Sequence, residues 1–408
     1  MKQLSHRIYI ALLLSSLATA HATPVGFDAD KLATVSSKVQ SLVDQQTIAG
    51  AVVLIARNGK VALHEARGVC DIKSGAPMKK DTIFRIYSMT KPITTTAVMM
   101  LVEEGKLSPS DPVSKYIPEL KNLKVYTSKD NDKKATKTMT VSDLMRHTSG
   151  LSYGFTGGPI AKLYREKRVL DRNSSLKQMI DKLSTIPLQA EPGSSWVYSV
   201  SIDVLGRLVE VVTKKPFSEF VHDRIFVPLG MKDTGFYVPK NKSQRLASQH
   251  SRNASGKLRV SEPGASSPFQ KKPVHESGGG GLCSTANDYF RFCQMILNGG
   301  ELDGVRLLKA ETVAMMTTNQ LPASIPNIGI GDNRKGIGFG YGFAVRKMES
   351  DWGFGGRVGE FGWGGAASTH FWISPKDRLI VITLRNFMPY EWTLEKELKR
   401  LIYESLEE

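Results

Sequence analysis

The chain has 408 residues, of which 41% are hydrophobic, and its formal net charge is +16. This length predicts one large or two ordinary domains with a sizeable buried core. The basic residues are scattered and come without a zinc-finger, RNA-binding or helix-turn-helix signature, so a solvated basic face is favoured over binding to nucleic acid.

Cysteines and histidines give no sign of a disulfide framework or of a metal site. The three cysteines are an odd and sparse set, and buried free thiols are favoured over a bond between Cys283 and Cys293. Neither these cysteines nor the eight histidines have ligand spacing, and the H-E-x-x-H motif is absent. We therefore expect no metal and no cofactor.

Residues 1–22 have the three parts of a secretory signal peptide. Lys2 and Arg7 give a basic start, residues 8–17 are apolar, and small residues precede a cleavage site at about residue 22. The alternative is an uncleaved membrane anchor, but the apolar stretch is short for a bilayer span. The sequence thus predicts a periplasmic or secreted protein with no integral membrane span after cleavage.

Hydrophobic periodicity and turn residues predict the elements along the chain. In chain order they are a helix over 28–46, strands over 51–56 and 61–66 joined by Asn58-Gly59, helices over 93–104, 142–146, 176–183, 202–212 and 218–226, strands over 341–347, 368–373 and 379–384, and a closing helix with Leu394, Leu398, Leu401 and Ile402.

This order of elements predicts an α/β protein with one antiparallel sheet built from both termini. The α/β domain would comprise residues 24–105 and 276–408, and a mainly helical domain, residues 106–275, would be inserted between them. Residues 238–275 are rich in Ser, Lys and Asn, which predicts a long surface excursion.

Ser88 and Lys91 form the most informative pattern, a Ser-x-x-Lys beside an apolar helix. Residues three apart on a helix share a face, so the Lys91 ammonium can reach the Ser88 hydroxyl. A serine becomes a good nucleophile when a base takes its proton, and a neutral, buried lysine can be that base. The same spacing recurs at Ser174 and Lys177, where charged neighbours predict an exposed helix start.

Two further segments supply candidate partners for Ser88. Tyr198 precedes the predicted helix 202–212, and a tyrosine beside an ammonium can pass a proton between nucleophile and leaving group. Residues 362–366 come just before a predicted strand, and their glycines let a backbone approach a substrate closely. An amide of that strand facing the Ser88 amide would form an oxyanion hole.

In this order, Ser-x-x-Lys, Tyr-Ser and Trp-Gly-Gly resemble the motifs of the class C β-lactamase-like serine hydrolases. This group includes family VIII carboxylesterases, D-alanyl-D-alanine carboxypeptidases and class C β-lactamases. Other segments also resemble the family: 144–151 its H-T-S-G-L, 278–285 its G-G-L-x-S-T, and 339–342 and 362–367 its late strands. The resemblance covers roughly residues 28–390 and implies a β-lactamase/transpeptidase-like fold.

Carried over residue by residue, the resemblance implies that Ser88 is the acylated nucleophile. Lys91 and Tyr198 would share the general base and acid roles, and which of them is the primary base stays open. The backbone amides of Ser88 and Ala366 would form the oxyanion hole. The substrate-binding positions of the third motif would be Trp363, Gly364 and Gly365.

Two positions depart from the β-lactamases and peptidases of this family. Those proteins have Asn where this chain has Val200, and Lys or His where it has Trp363. Trp363 cannot recognise a substrate carboxylate, but it offers a wide apolar wall that suits an acyl or aryl ester. Arg357 is an alternative source of the missing cation, although a surface position is favoured for it.

The sequence therefore predicts an exported serine hydrolase that cleaves carboxylic esters through an acyl-serine on Ser88, acting on a small-molecule ester or amide. Two alternatives stay open: a β-lactamase or D-alanyl-D-alanine carboxypeptidase-type peptidase, and a non-catalytic penicillin-recognising or wall-binding protein. His147 is left out because its segment is structural in the resembling family, and the absence of G-x-S-x-G argues against an α/β-hydrolase. The oligomeric state stays open.

Overall fold

The computed structural model describes residues 26–128, 131–350 and 352–407, so the predicted signal peptide lies outside the described residues. The helices are α1 Ala29–Asp44, α2 Thr90–Glu103, α3 Val141–Met145, α4 Gly158–Glu166, α5 Leu176–Leu183, α6 Ser201–Thr213, α7 Phe217–Val221, α8 Ala286–Leu297, α9 Ala310–Thr317 and α10 Thr393–Glu404. The strands are β1 Gly50–Arg57, β2 Lys60–Asp71, β3 Ala76–Pro77, β4 Phe84–Arg85, β5 Lys124–Val125, β6 Lys133–Lys134, β7 Gln249–Arg252, β8 Leu258–Glu262, β9 Cys283–Ser284, β10 Glu301–Leu302, β11 Val305–Arg306, β12 Ile337–Phe339, β13 Ala344–Arg346, β14 Phe361–Gly365, β15 Thr369–Ser374 and β16 Leu379–Leu384.

The main sheet has eight strands in the order β12-β13-β14-β15-β16-β1-β2-β3, and every neighbouring pair is antiparallel. β1 and β2 form the predicted hairpin, with Asn58 and Gly59 at positive φ as a tight Asn-Gly turn requires. β1 also pairs with β16 from the far end of the chain, so that Val52 lies opposite Leu384. The predicted sheet built from both termini is confirmed.

Helices cover both faces of this sheet, which explains why its central strands are apolar at nearly every position. Along β1, Val52 and Leu54 belong to the larger core, which also contains residues of α2 and α8. Val53 and Ile55 point to the other face and pack in a smaller core with α1 and α10. The result is a three-layer arrangement, with Ser88 just before the start of α2 on the larger side.

Residues 238–275 contain more ordered structure than their polar composition indicates. They include the β7–β8 hairpin, and Leu246 and Phe269 are buried against Ile83 and Cys283. A few apolar anchors suffice to fix a segment whose other residues face solvent. The division into two domains stays a prediction.

The three cysteines are free and buried, as predicted. Burial raises the pKa of Cys283 to about 12, which makes it an inert thiol. Within the part of the chain that the structure describes, no helix is long and apolar enough to cross a membrane.

Candidate active site

Ser88 lies on a short 3₁₀ turn, Tyr87–Met89, directly before α2. The preceding residue, Tyr87, has φ of 40°, a left-handed conformation that is unfavourable for a bulky side chain. Such strain is concentrated at functional sites, and here it accompanies the sharp passage from β4 into the helix. The same-face geometry predicted for Ser88 and Lys91 is kept, although Ser88 precedes the α-helix.

Ser88, Lys91 and Tyr198 meet through hydrogen bonds. Lys91 Nζ donates to Ser88 Oγ at 3.0 Å and to the Gly279 carbonyl at 2.7 Å. The Tyr198 hydroxyl donates to Ser88 Oγ at 2.7 Å. Lys91 Nζ also lies 4.6 Å from the centre of the Tyr198 ring. Two groups able to exchange a proton with Ser88 therefore contact it from different elements of the fold.

The Trp-Gly-Gly segment precedes a strand, β15, as predicted, and it is itself the strand β14, in agreement with its resemblance to a late strand of the family. Glycine-rich sequence weakens the local signal, but pairing with β15 along the whole of β14 overrides it. The Trp363 indole donates to the Tyr198 hydroxyl at 3.3 Å. Gly365 packs so closely on Ile86 that a Cβ at position 365 would lie 2.2 Å from the Ile86 carbonyl oxygen. The strand β14 thus lies directly beside the turn that carries Ser88.

The two amides expected to form an oxyanion hole border the same cavity. Ala366 is the first residue of the turn after β14, and Ser88 lies on the 3₁₀ turn before α2. Among the residues that the structure describes, neither amide donates to a backbone or side-chain acceptor. Both N–H groups are therefore available to a substrate oxygen.

A buried carboxylate behind Lys91 was missed by the sequence analysis. Asp203, in α6, accepts hydrogen bonds from the Ser277 hydroxyl and the Gly279 amide, and His275 Nε2 lies 3.8 Å from it. Burial acts to raise the pKa of Asp203, but His275, Ser277 and the nearby Lys91 ammonium lower it more, so the carboxyl stays ionised. The available signal was an acid among the apolar residues at the start of a predicted helix.

His147 and Arg357 do not contact Ser88. His147 is fully buried with its ring 4.9 Å from that of Tyr198, and burial together with Lys91 holds its pKa well below the usual range. Arg357 pairs with Asp377 at 3.0 Å and is 41% exposed. It lies outside the catalytic cavity, so it does not replace the cation missing from the third motif.

The cavity above Ser88 has a volume of about 840 Å³. Its walls are rich in aromatic side chains: Tyr87, Tyr153, Phe155, Tyr198, Phe269, Trp352, Phe354, Trp363, Tyr390 and Trp392. Across the described ranges, no group of three or more His, Cys, Asp or Glu residues is arranged to hold a metal ion. The site is a large apolar cleft with a hydrogen-bonded serine at one wall, the usual form of a small-molecule site.

Comparison with known proteins gives a consistent result. A family model described as Beta-lactamase matches residues 35–403. Protein Rv1367c of Mycobacterium tuberculosis is 35% identical over 373 residues, covering 86% of this chain and 89% of that protein. Esterase EstB of Burkholderia gladioli is 29% identical over 395 residues, covering 91% and 95%. The solved structure described as "EstCE1, a hydrolase with promiscuous acyltransferase activity" has a TM-score of 0.79 and 26% identity, covering 92% of this chain and 99% of that one.

Proposed function

The chain belongs to the β-lactamase family and has its fold, and from this premise we propose that it hydrolyses carboxylic esters through an acyl-enzyme on Ser88. It is a serine hydrolase of the carboxylesterase-like kind, because esterases are among its full-length relatives. The proposal of an acyl-enzyme on Ser88 depends on one observation: Lys91 and Tyr198 both donate hydrogen bonds to Ser88 Oγ.

Acylation begins when Ser88 Oγ attacks the ester carbonyl and gives its proton to the Lys91–Tyr198 pair. The pair can accept this proton when one of its members is deprotonated, Lys91 as the amine or Tyr198 as the phenolate. The oxyanion then accepts hydrogen bonds from the amides of Ser88 and Ala366, which need no reorganisation because they are already free of other acceptors. Collapse of the intermediate breaks the ester C–O bond. The departing alcohol takes a proton from the same pair, which returns to its starting state.

Deacylation repeats these steps with water as the nucleophile. Water gives a proton to the Lys91–Tyr198 pair as it attacks the acyl group, and Ser88 recovers that proton when the acid leaves. The Trp363 indole, which donates to the Tyr198 hydroxyl, holds the phenol in position through both half-reactions.

The cavity favours esters over β-lactams and peptide termini. Val200 and Trp363 stand where the β-lactamases and peptidases of the family have polar or charged groups. The aromatic walls bury acyl chains and aryl alcohols, and each buried CH₂ contributes about 0.8 kcal/mol. The β-lactamase or peptidase alternative is kept as a second activity that the experiment below measures. A non-catalytic binder has no need of the three hydrogen-bonded groups.

The first test measures turnover of p-nitrophenyl butyrate and nitrocefin side by side, with Ser88→Ala as the inactive variant. We expect butyrate cleavage, little nitrocefin cleavage, and loss of both activities in Ser88→Ala with the fold intact. Ser174→Ala is the matched control, because Ser174 and Lys177 repeat the spacing away from the cavity. Ser174 is buried, contrary to the predicted exposed helix start, and its hydroxyl accepts from Lys182 at 2.8 Å, whereas Lys177 pairs with Asp181 and Glu119. Nitrocefin cleavage without butyrate cleavage would assign the enzyme to the β-lactamases.

We further propose that residues 1–22 direct export, on the basis of their basic, apolar and small-residue segments. The mature enzyme would then act in the periplasm or outside the cell. Cell fractionation, with mass spectrometry of the N-terminus, tests this. A cytoplasmic protein that still begins at Met1 would contradict it.

A further inference from the structure

Arg334 is a cation fixed at the wall of the catalytic cavity, on the loop that leads into β12. Its amide donates to the Ile328 carbonyl at 3.0 Å, and its carbonyl accepts from the Ile337 amide at 2.9 Å. Gly336 next to this turn donates to the Asn327 side chain at 2.9 Å. The backbone on both sides of Arg334 is thus held in place.

Three tryptophans surround the Arg334 guanidinium. Its Cζ lies 4.7 Å from the ring centre of Trp352, 5.7 Å from that of Trp363 and 5.9 Å from that of Trp392. The side chain is only 10% exposed. Such rings stabilise a guanidinium through their faces but leave its N–H groups unsatisfied.

Two nitrogens of this guanidinium have no partner in the part of the chain that the structure describes. Nε donates to the Asp332 carboxylate at 3.2 Å, whereas Nη1 and Nη2 have no acceptor among the residues that the structure describes. Neither of these two nitrogens is sealed inside the protein. They therefore form a free fork at the cavity, of the shape that binds a carboxylate through two hydrogen bonds.

Besides Asp332, the cavity lining includes the carboxylates of Glu360 and Glu395, which have hydrogen-bond partners of their own. Glu360 pairs with Lys399 and accepts from the Tyr403 hydroxyl at 2.6 Å. Glu395 accepts from the Thr383 hydroxyl at 2.7 Å, and burial raises its pKa. The cavity wall also includes the cation Arg346. An anion entering beside Arg334 would supply the acceptors that its Nη1 and Nη2 groups lack among the described residues.

From this geometry we propose that Arg334 is a specificity-determining residue that binds a carboxylate of the substrate. The preferred substrates are then esters with an anionic group on one arm, an inference that rests on the proposed ester hydrolysis. Trp363 lies between the Arg334 guanidinium and Ser88. Its ring contacts Arg334, and its indole N–H donates to the Tyr198 hydroxyl, which donates to Ser88 Oγ. A substrate carbonyl at Ser88 can thus extend along the indole to the guanidinium.

The carboxylate can belong to the acyl or to the alcohol part, and two pairs of substrates distinguish these sources. The first pair is the p-nitrophenyl monoester of adipic acid and its neutral terminal carboxamide. The second pair is 4-(butanoyloxy)benzoate and 4-(butanoyloxy)benzamide. In at least one pair we expect the carboxylate to be preferred by about tenfold or more in kcat/KM, as charge-assisted hydrogen bonds allow.

Variants at the loop then identify the residue responsible. Arg334→Gln should abolish the preference, because turnover of the carboxylate substrate should fall by about tenfold more than turnover of the carboxamide. Arg334→Lys should keep part of the preference, because charge remains but the fork is lost. Asp332→Asn should increase the preference, because Asp332 partly neutralises the guanidinium. Arg357→Gln is the matched control outside the cavity and should change neither rate.

Two results would overturn the subsite: equal rates within both pairs in the wild type, or an equal loss on both members of the preferred pair in Arg334→Gln. If no ester at all is hydrolysed, the proposed function fails. The carboxylate subsite is then tested by binding measurements alone. Ser88→Ala is then titrated with the four compounds while tryptophan fluorescence is recorded. The carboxylate of one pair should bind about tenfold more tightly than its carboxamide, and equal affinities would refute the subsite.

Discussion

At the scale of single residues, the arrangement around Ser88 leaves two ways to remove its proton. Lys91 is fully buried and bonds to a hydroxyl and a carbonyl, not to a carboxylate. The carboxylate of Asp203 lies behind Gly279, whose amide donates to it, and whose carbonyl accepts from Lys91 Nζ. Lys91 and Tyr198 both contact Ser88 and each other, so we treat them as one proton-transfer unit.

This arrangement predicts non-additive losses. Lys91→Ala and Tyr198→Phe should each lower the acylation rate by about 10²–10⁴-fold, and the double variant should lose little more than the worse single variant. Pre-steady-state release of p-nitrophenol from p-nitrophenyl butyrate measures this rate. A mild loss in Lys91→Ala would identify Tyr198 as the base acting alone.

At the scale of elements, the site depends on the contact between β14 and the turn that carries Ser88. Gly365 lies against the Ile86 carbonyl, and the Thr369 hydroxyl donates to the same carbonyl at 3.4 Å. The spacing between the Ser88 amide and the Ala366 amide is therefore set by a backbone contact that admits no side chain.

Gly365→Ala should consequently damage the oxyanion hole. The new Cβ would lie 2.2 Å from the Ile86 carbonyl oxygen and 2.4 Å from Thr369 Oγ1, so strand and turn must separate. We expect kcat to fall by about 10²-fold or more, as loss of one oxyanion donor does, and the melting temperature to fall as well. Gly157→Ala is the control, because nothing lies within 4 Å of a Cβ there and its φ is −80°. Unchanged kcat in Gly365→Ala would contradict the proposed hole.

The elements also show what the sequence can and cannot predict. The β1–β2 hairpin follows from Asn58 and Gly59 alone, because a local turn fixes it. The strand character of β14 does not follow from a local pattern. It was indicated by the family resemblance of residues 362–367, and the glycines form a strand by pairing with β15. Asp203 and Arg334 were missed for a similar reason: their significance depends on neighbours distant in the chain, Gly279 for one and Trp392 for the other.

At the scale of the whole molecule, the core contains imidazoles that burial keeps neutral. His147 and His370 both have pKa values held well below the ordinary 6.5 by burial and by neighbouring cations. In the unfolded chain the same groups are free to take up protons. Their contribution to stability is therefore present above about pH 6.5 and is lost as the pH falls.

We therefore expect the free energy of unfolding to decrease from pH 7 to pH 5. Each neutral buried histidine adds a slope of about 1.4 kcal/mol per pH unit in the region below 6.5. Urea denaturation at several pH values measures this slope. His147→Gln should reduce the slope, whereas His222→Gln, at an exposed position, should leave it unchanged. A flat profile for the wild type would contradict the buried neutral state.

The pairing of β1 with β16 has a consequence for biosynthesis. Val52 leaves the ribosome long before its partner Leu384 has been translated. Until then, the apolar edge of β1 has no covering strand, and an exposed edge of this kind invites intermolecular association. The nascent chain therefore depends on chaperones, or on prompt completion of its last strand, and a nonsense mutation upstream of residue 379 would yield an aggregating fragment, not a smaller enzyme.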